Sequence, residues 1–319
     1  MTEDIMTVKN LKKHFETSMG TVKAVDGISF SVKYGETFGL VGESGSGKST
    51  TAYTVMGLYA PTDGEINFEG VDLSTGVKKR PKSLKKKIQI VFQDPGSSLN
   101  PKRTVKQILE LPMKVHGIIG GKESTERVAE LLRLVELPEE YLDRYPRELG
   151  GGEKQIVAIA RALATNPSFI TLDEPTSALD VSMQAKIINM LIRFQKDLDL
   201  SYLFITHNLS LMRNVASRVA IMYLGKICEV ASASEFFHNP LHPYTRMLLS
   251  SIPVITKEEE ELKPKKITSI GEIPSPVDVP PGCSFHPRCP NRMEICSKED
   301  PVIVETEAGH TVKCHLYYS

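Results

Sequence analysis

Apolar and polar residues alternate from Ile5 to Phe15 and again from Val22 to Val32, around Gly20 and Gly27. A period of two predicts antiparallel strands. Farther on the rhythm changes to compact, largely apolar runs at Thr37 to Val41, Ile88 to Phe92, Phe169 to Leu172, Tyr202 to Thr206 and Val219 to Tyr223, the pattern of strands buried on both faces. Helical spacing lies between them: Ala52, Val55 and Met56 share one face, and Met183, Ile187, Met190, Leu191 and Phe194 share another. A turn cluster at Tyr59 to Gly64 leads into the strand-like Glu65 to Phe68. From Asn100 to Ala164 the pattern is helical, with Val128, Leu131, Leu132 and Val135 at helical spacing and Gly120-Gly121, Pro138 and Pro146 as punctuation. The expectation is an α/β domain that opens with antiparallel strands and carries a helical insertion. After His238 the rhythm stops: Lys257 to Lys266 reads as a charged linker and Pro274 to Pro281 as an extended, proline-rich stretch.

The stretch Gly42-Glu43-Ser44-Gly45-Ser46-Gly47-Lys48-Ser49-Thr50 fits G-x-x-x-x-G-K-S and has the strand before it and the helix after it that a phosphate-binding loop requires. Glycines let the backbone wrap an anion, the N–H groups and the helix N-terminus point at it, and Lys48 reaches the terminal phosphates. Gln93, Asp173 with Glu174, and His207 each fall just past the end of a buried run. In an open α/β sheet ligands bind along that edge, so four separate stretches are expected to meet in one crevice. With a nucleoside triphosphate bound, Ser49 and Asp173 are the candidate Mg²⁺ ligands and Gln93 bridges metal and water. Glu174 is the candidate general base for the attacking water and His207 a donor to the γ-phosphate. The set suffices in kind for ATP hydrolysis. Phe15 stands where an aromatic ring stacks on adenine or fills an edge sheet, and position leaves both open.

Lys plus Arg and Asp plus Glu number 39 each in the 319 residues, which excludes the overall basic field that drives non-specific nucleic-acid binding. No apolar run approaches membrane-spanning length and Met1 to Asn10 shows no signal pattern, so a cytoplasmic chain, soluble by itself, is expected. The basic run Lys78, Lys79, Arg80, Lys82, Lys85, Lys86 and Lys87 reads as a solvated loop and helix face. Cys283, Cys289, Cys296 and Cys314 crowd the tail with five, six and seventeen residues between successive members. In a reducing compartment they point to a metal rather than to disulfides, and the spacing leaves zinc, iron–sulfur and free thiols open. Cys228 lies outside that group and reads as a small buried residue.

Taken in order, the phosphate loop, Gln93, Leu149-Gly150-Gly151-Gly152-Glu153, Asp173-Glu174, Ser177-Ala178-Leu179-Asp180 and His207 resemble the ATP-binding subunit of an ABC transporter from Thr7 to about Val230. Phe92-Gln93-Asp94-Pro95 with Ser98-Leu99-Asn100-Pro101, His238 to Thr245, and Pro280-Pro281-Gly282-Cys283 to Cys289-Pro290 look like the oligopeptide/dipeptide importer branch. The resemblance implies an α/β fold of the P-loop NTPase, ABC type over residues 1–235: a RecA-like core, an antiparallel β subdomain and a helical subdomain at about 96–164. A C-terminal extension follows over 236–319. It implies ATP hydrolysis with Mg²⁺ that drives import of peptides or a related solute. The implied partners are a second ATPase subunit, two membrane permease subunits and an external binding protein, with the chain at the cytoplasmic face of the membrane. It also implies a 4Fe-4S cluster on the four tail cysteines.

In the family two subunits sandwich ATP head to tail, so Gly150, Gly151, Gly152, Glu153 and Asp180 would act on nucleotide held by the partner. The family usually carries Leu-Ser-Gly-Gly-Gln. Here Gly150 supplies no hydroxyl and Glu153 adds a negative charge, which implies slower hydrolysis at the site this stretch completes and a partner that is a different chain. A rival class, ABC-type ATPases acting on nucleic acid or ribosomes, would bring a long coiled coil or two tandem halves. This chain has one phosphate loop and no heptad run. A third reading, a module that binds ATP without turnover, is opposed by Glu174.

Overall fold

The computed structural model describes residues 3–118, 123–252, 271–307 and 309–318. Gly120-Gly121 and the Lys257 to Lys266 linker lie outside them.

The alternating opening forms β1 (Asp4–Thr17) and β2 (Gly20–Lys33), paired antiparallel. After β3 (Thr37–Val41) and α1 (Lys48–Val55), β4 (Asp63–Phe68) returns to pair with β1, and β5 (Val71–Asp72) completes a sheet of order β2-β1-β4-β5. Then come α2 (Lys82–Lys87), β6 (Ile88–Val91) and the helical segment: α3 (Pro95–Ser98), α4 (Val105–Val115), α5 (Glu123–Leu134) and α6 (Gly151–Leu163). Thr104 starts α4 with a capping box, its hydroxyl accepting from the Gln107 N–H while the Gln107 side chain accepts from the Thr104 N–H. Val128, Leu131, Leu132 and Val135 are buried as their spacing predicts.

The α/β rhythm resumes with β7 (Phe169–Asp173), α7 (Val181–Asp197), β8 (Ser201–Thr206), α8 (Leu209–Val215), β9 (Arg218–Tyr223), β10 (Lys226–Ser232), α9 (Ala233–His238) and α10 (Pro243–Ser250). The tail adds β11 (Val304–Glu307) and β12 (His310–Val312). Among the described residues the main sheet runs β11-β12-β10-β9-β3-β8-β7-β6, and from β9 to β6 its neighbours are parallel. A strand's period of two divides its side chains between two cores. In β8, Tyr202 and Phe204 pack into the core that holds α7, while Leu203 and Ile205 pack into the core shared with β1, β2 and β4. Among the described residues no helix is long and apolar enough to cross a membrane.

Two observations depart from the sequence reading. Arg80 is not on a solvated face: it is 5% exposed, and its guanidinium donates to the carbonyls of Val55 at 2.9 Å, Leu73 at 2.7 Å and Thr75 at 3.2 Å. Burial pushes its pKa down to about 10. The tail, for its part, extends the main sheet, because β12 pairs antiparallel with β10. The joint is tied by Glu229 on β10, whose buried carboxylate accepts from the N–H groups of Leu241 and His242 and meets His310 Nε2, each at 2.8 Å.

Candidate active site

Because β3, β8, β7 and β6 are parallel neighbours, their C-terminal ends bring the phosphate loop, His207, Asp173-Glu174 and Gln93 to one crevice. A cavity of about 840 Å³ opens there, lined by Glu43, Ser44, Gly45, Gly47, Lys48, Ser49 and Thr50 of the loop, by Gln93, Glu174 and His207, and by Val22, Ala24, Ile273 and Pro276. Two glycines are obligatory. A Cβ on Gly42 would stand 2.2 Å from the Met222 carbonyl, and one on Gly47, whose φ is +107°, would stand 2.0 Å from the Ala24 carbonyl.

Lys48 Nζ donates to the carbonyls of Gly42 and Glu43, both at 2.8 Å, and reaches the buried Ser46 hydroxyl at 3.4 Å. Burial lowers the Lys48 pKa against the opposing pull of Glu174, Asp173 and Glu43. Ser49 donates its hydroxyl to Asp173 Oδ1 at 2.9 Å. Asp173 is the last residue of β7 rather than one beyond it and is 0% exposed, and its Oδ2 has no hydrogen-bond partner. Burial raises its pKa, opposed by the nearby hydroxyls of Tyr53 and Ser49. A desolvated carboxylate with one uncommitted oxygen beside a hydroxyl is the donor set of a hard cation, so these residues fit Mg²⁺.

Glu174 adopts a left-handed backbone with φ +46°. That turn lets its N–H donate to the Ile205 carbonyl at 2.9 Å while its carboxylate faces the cavity. One oxygen, Oε2, meets both His207 Nδ1 at 3.0 Å and Gln93 Nε2 at 3.3 Å.

The remaining candidates lie apart from the phosphate loop. Gly150 is the N-cap of α6, and Glu153 folds back over that helix start, accepting from the Gly150 N–H at 2.8 Å and from the Tyr141 hydroxyl. These bonds hold the Glu153 carboxyl below the usual range, against burial. Gly152 is packed so closely on Met183 that a Cβ would meet its side chain at 2.5 Å. Gly151 lines a smaller cavity of about 190 Å³ that shares Gln93 and Glu174. Asp180 caps α7, accepting from the Met183 N–H at 2.9 Å and the Ser182 hydroxyl at 2.6 Å. Phe15 lies edge-on to Tyr59 with centroids 5.3 Å apart, and Lys13 Nζ sits 4.8 Å from its ring centre. It is the cross-strand partner of Val22, which lines the cavity.

The iron–sulfur expectation gains no support. Among the described residues no group of three or more His, Cys, Asp or Glu is arranged to hold a metal ion. Burial pushes the thiols of Cys283 and Cys289 up to about 11, which leaves them neutral near pH 7. Cys228 is buried as expected but not isolated from this group: it lines one small cavity with Cys283, and burial pushes its pKa up.

Several contacts to the loop were not foreseen. The Glu43 N–H donates to the Tyr244 hydroxyl at 3.1 Å, Arg288 grips the Glu43 carboxylate, and Ile273 and Pro276 reach the cavity wall. Tyr244, Pro276 and Arg288 lay in stretches that the sequence singled out, though for other reasons, and Ile273 in none.

Comparison with known proteins agrees with this geometry. A family model described as ABC transporter matches residues 25–177, and one described as oligopeptide/dipeptide transporter, C-terminal region, matches residues 228–296. The oligopeptide transport ATP-binding protein AppF of Bacillus subtilis (strain 168) is 47% identical over 323 residues, spanning 99% of this chain and 98% of that protein. Among solved structures, the dimeric structure of MJ0796, a bacterial ABC transporter cassette, superimposes with a TM-score of 0.66 at 31% identity, covering 72% of this chain and 98% of that one. The structure of cbiO1 from Clostridium perfringens, part of the ABC transporter complex cbiONQ, gives 0.65 at 30% identity, covering 74% and 92%.

Proposed function

The chain belongs to the ABC transporter ATPases, in their oligopeptide/dipeptide branch, and from that premise we propose how its residues divide the work. It is the ATP-hydrolysing subunit of a peptide importer. The phosphate loop binds the triphosphate through its N–H groups and Lys48. Ser49, Asp173 and Gln93 would hold Mg²⁺, which supplies charge neutralisation across the phosphates. Glu174 takes the proton of the attacking water, and His207 and Gln93, both on Oε2, leave Oε1 free of those two contacts to accept it. This single convergence carries the assignment. Replacing Glu174 by Gln keeps the shape and removes the base, so ATP binding is retained while kcat of the assembled transporter falls by about 10²- to 10⁴-fold. An unchanged rate would leave ATP binding without catalysis by Glu174.

None of Gly150 to Glu153 or Asp180 lines the phosphate cavity, which supports a role on nucleotide held by a second ATPase subunit, and the solved structure of MJ0796 is dimeric. The altered signature favours a partner that is a different chain. Two permease subunits and an external binding protein complete the assembly, which places the chain at the cytoplasmic face of a membrane. Within it, residues 1–235 form the ATPase domain and 236–319 the extension. The balanced charge and the relatives give the nucleic-acid alternative no support. The four-thiol set enters only as a site to test: broad visible absorbance in anaerobically purified protein would mark the 4Fe-4S cluster, and colourless, metal-free protein leaves the thiols structural.

A further inference from the structure

We propose that Arg288, carried by the C-terminal extension, is a positioning residue for the phosphate loop that masks the charge of Glu43, so that the cavity accepts a polyphosphate. Glu43 is the second residue of the loop and lines the cavity. An uncompensated carboxylate there opposes every bound phosphate. Arg288 meets it with a fork: Nη1 donates to Oε2 at 2.8 Å and Nη2 to Oε1 at 3.1 Å. The Arg288 side chain is 6% exposed and that of Glu43 26%, so the pair is screened little by solvent. The guanidinium is itself held in place, 5.7 Å from the ring centre of Tyr223 and 5.9 Å from that of Phe285.

The same residue is pinned at its backbone. The Glu43 N–H donates to Tyr244 on α10, and its carbonyl accepts from Lys48. Tail and loop are therefore joined on both sides of one residue. A second part of the tail reaches the same cavity: Ile273 and Pro276 line it, and the Pro276 carbonyl accepts from the Lys23 N–H of β2 at 3.4 Å. The extension thus contributes part of the wall of the site and the counter-charge of its loop.

This inference rests on the cavity being an ATP site, so MgATP binding to the unmodified full-length chain, followed by titration calorimetry, is the first measurement. Failure there removes the site itself. Given binding, Arg288→Gln, which leaves the Glu43 charge bare, raises the Kd by about tenfold or more. Adding Glu43→Gln to that variant returns most of the affinity, and Glu43→Gln alone binds as tightly as the parent or more tightly. Arg288→Lys, which keeps the charge but not the fork, falls between parent and Arg288→Gln. A contact that only braces the fold gives another pattern: Glu43→Gln weakens binding, and the double variant stays as weak as Arg288→Gln. Either result, or an Arg288→Gln Kd equal to the parent's, overturns the proposal. If Arg288→Gln does not fold, Glu43→Gln alone decides, since weaker binding by that variant contradicts charge masking.

Discussion

Changing Gly150 to Ser together with Glu153 to Gln is expected to raise the ATPase rate of the assembled transporter. Gly150 has extended backbone, φ −67° and ψ 166°, and a Cβ there would meet only Glu153 Oε2, at 3.6 Å. Serine therefore fits and is a preferred N-cap. Its hydroxyl offers a phosphate a charge-assisted hydrogen bond of about 1.5–3 kcal/mol. Glu153 lies over the same helix start, 2.8 Å from the Gly150 nitrogen. We take a separation of about 6 Å between that charge and a phosphate bound over the helix start. An effective dielectric of about 20–40 turns that into a repulsion of about 1.4–2.8 kcal/mol. Glutamine keeps the cap, because its carbonyl accepts from Gly150 and its amide can donate to the Tyr141 oxygen. Only the part of these terms realised in the transition state appears in kcat, and about tenfold is a conservative expectation. Phosphate release by the complex with its permeases and partner ATPase is the assay. MgATP affinity of the isolated chain, whose own loop is untouched, should not move. An unchanged rate in the complex refutes the reasoning.

Gly47→Ala forces a methyl against the Ala24 carbonyl at a positive φ, so nucleotide binding by calorimetry should vanish, and measurable affinity would mean the loop can re-form. Glu229→Ala strips the acceptor from Leu241, His242 and His310; urea unfolding should show a loss of about 3–5 kcal/mol, and a loss under about 1 would deny that this joint holds the tail. Burial lowers the His242 pKa from 6.5 to about 4, and its neutral Nδ1 accepts from the Tyr244 N–H at 3.0 Å. The unfolded chain therefore takes up this proton first as pH falls. The stability it contributes is complete above about pH 6.5 and drains away towards pH 4, by about 3 kcal/mol, a slope that His242→Asn should flatten in thermal melts.

The parallel strands and the residues at their ends were legible because each depends on short-range pattern. Thr37 to Val41 is β3 to the residue, and Phe169 to Leu172 and Tyr202 to Thr206 fall within β7 and β8. A run buried on both faces is largely apolar, so the charged or amide residue that ends it marks the edge where ligands meet the sheet. Arg80 defeated the same logic. Its neighbours in the basic run are lysines, several of them exposed, and nothing in the spacing tells which cation will meet the carbonyls of Val55, Leu73 and Thr75.

The tail was opaque for a related physical reason: its contacts are long-range pairings of residues that look unremarkable alone. Arg288 and Glu43 stand 245 positions apart, and His310 and Glu229 stand 81 apart. These pairings become visible only once β12 has paired with β10 and carried the extension against the sheet edge. Up to His238 the chain reads as an ATPase with an appendage. Yet Glu43, at the heart of its most recognisable motif, takes the acceptor for its N–H from Tyr244 and the counter-charge for its carboxylate from Arg288. Removing everything after His238 would therefore expose a carboxylate in the phosphate cavity as well as a bare sheet edge. Such a truncated chain should bind MgATP weakly even where it folds, and Glu43→Gln should recover part of the loss.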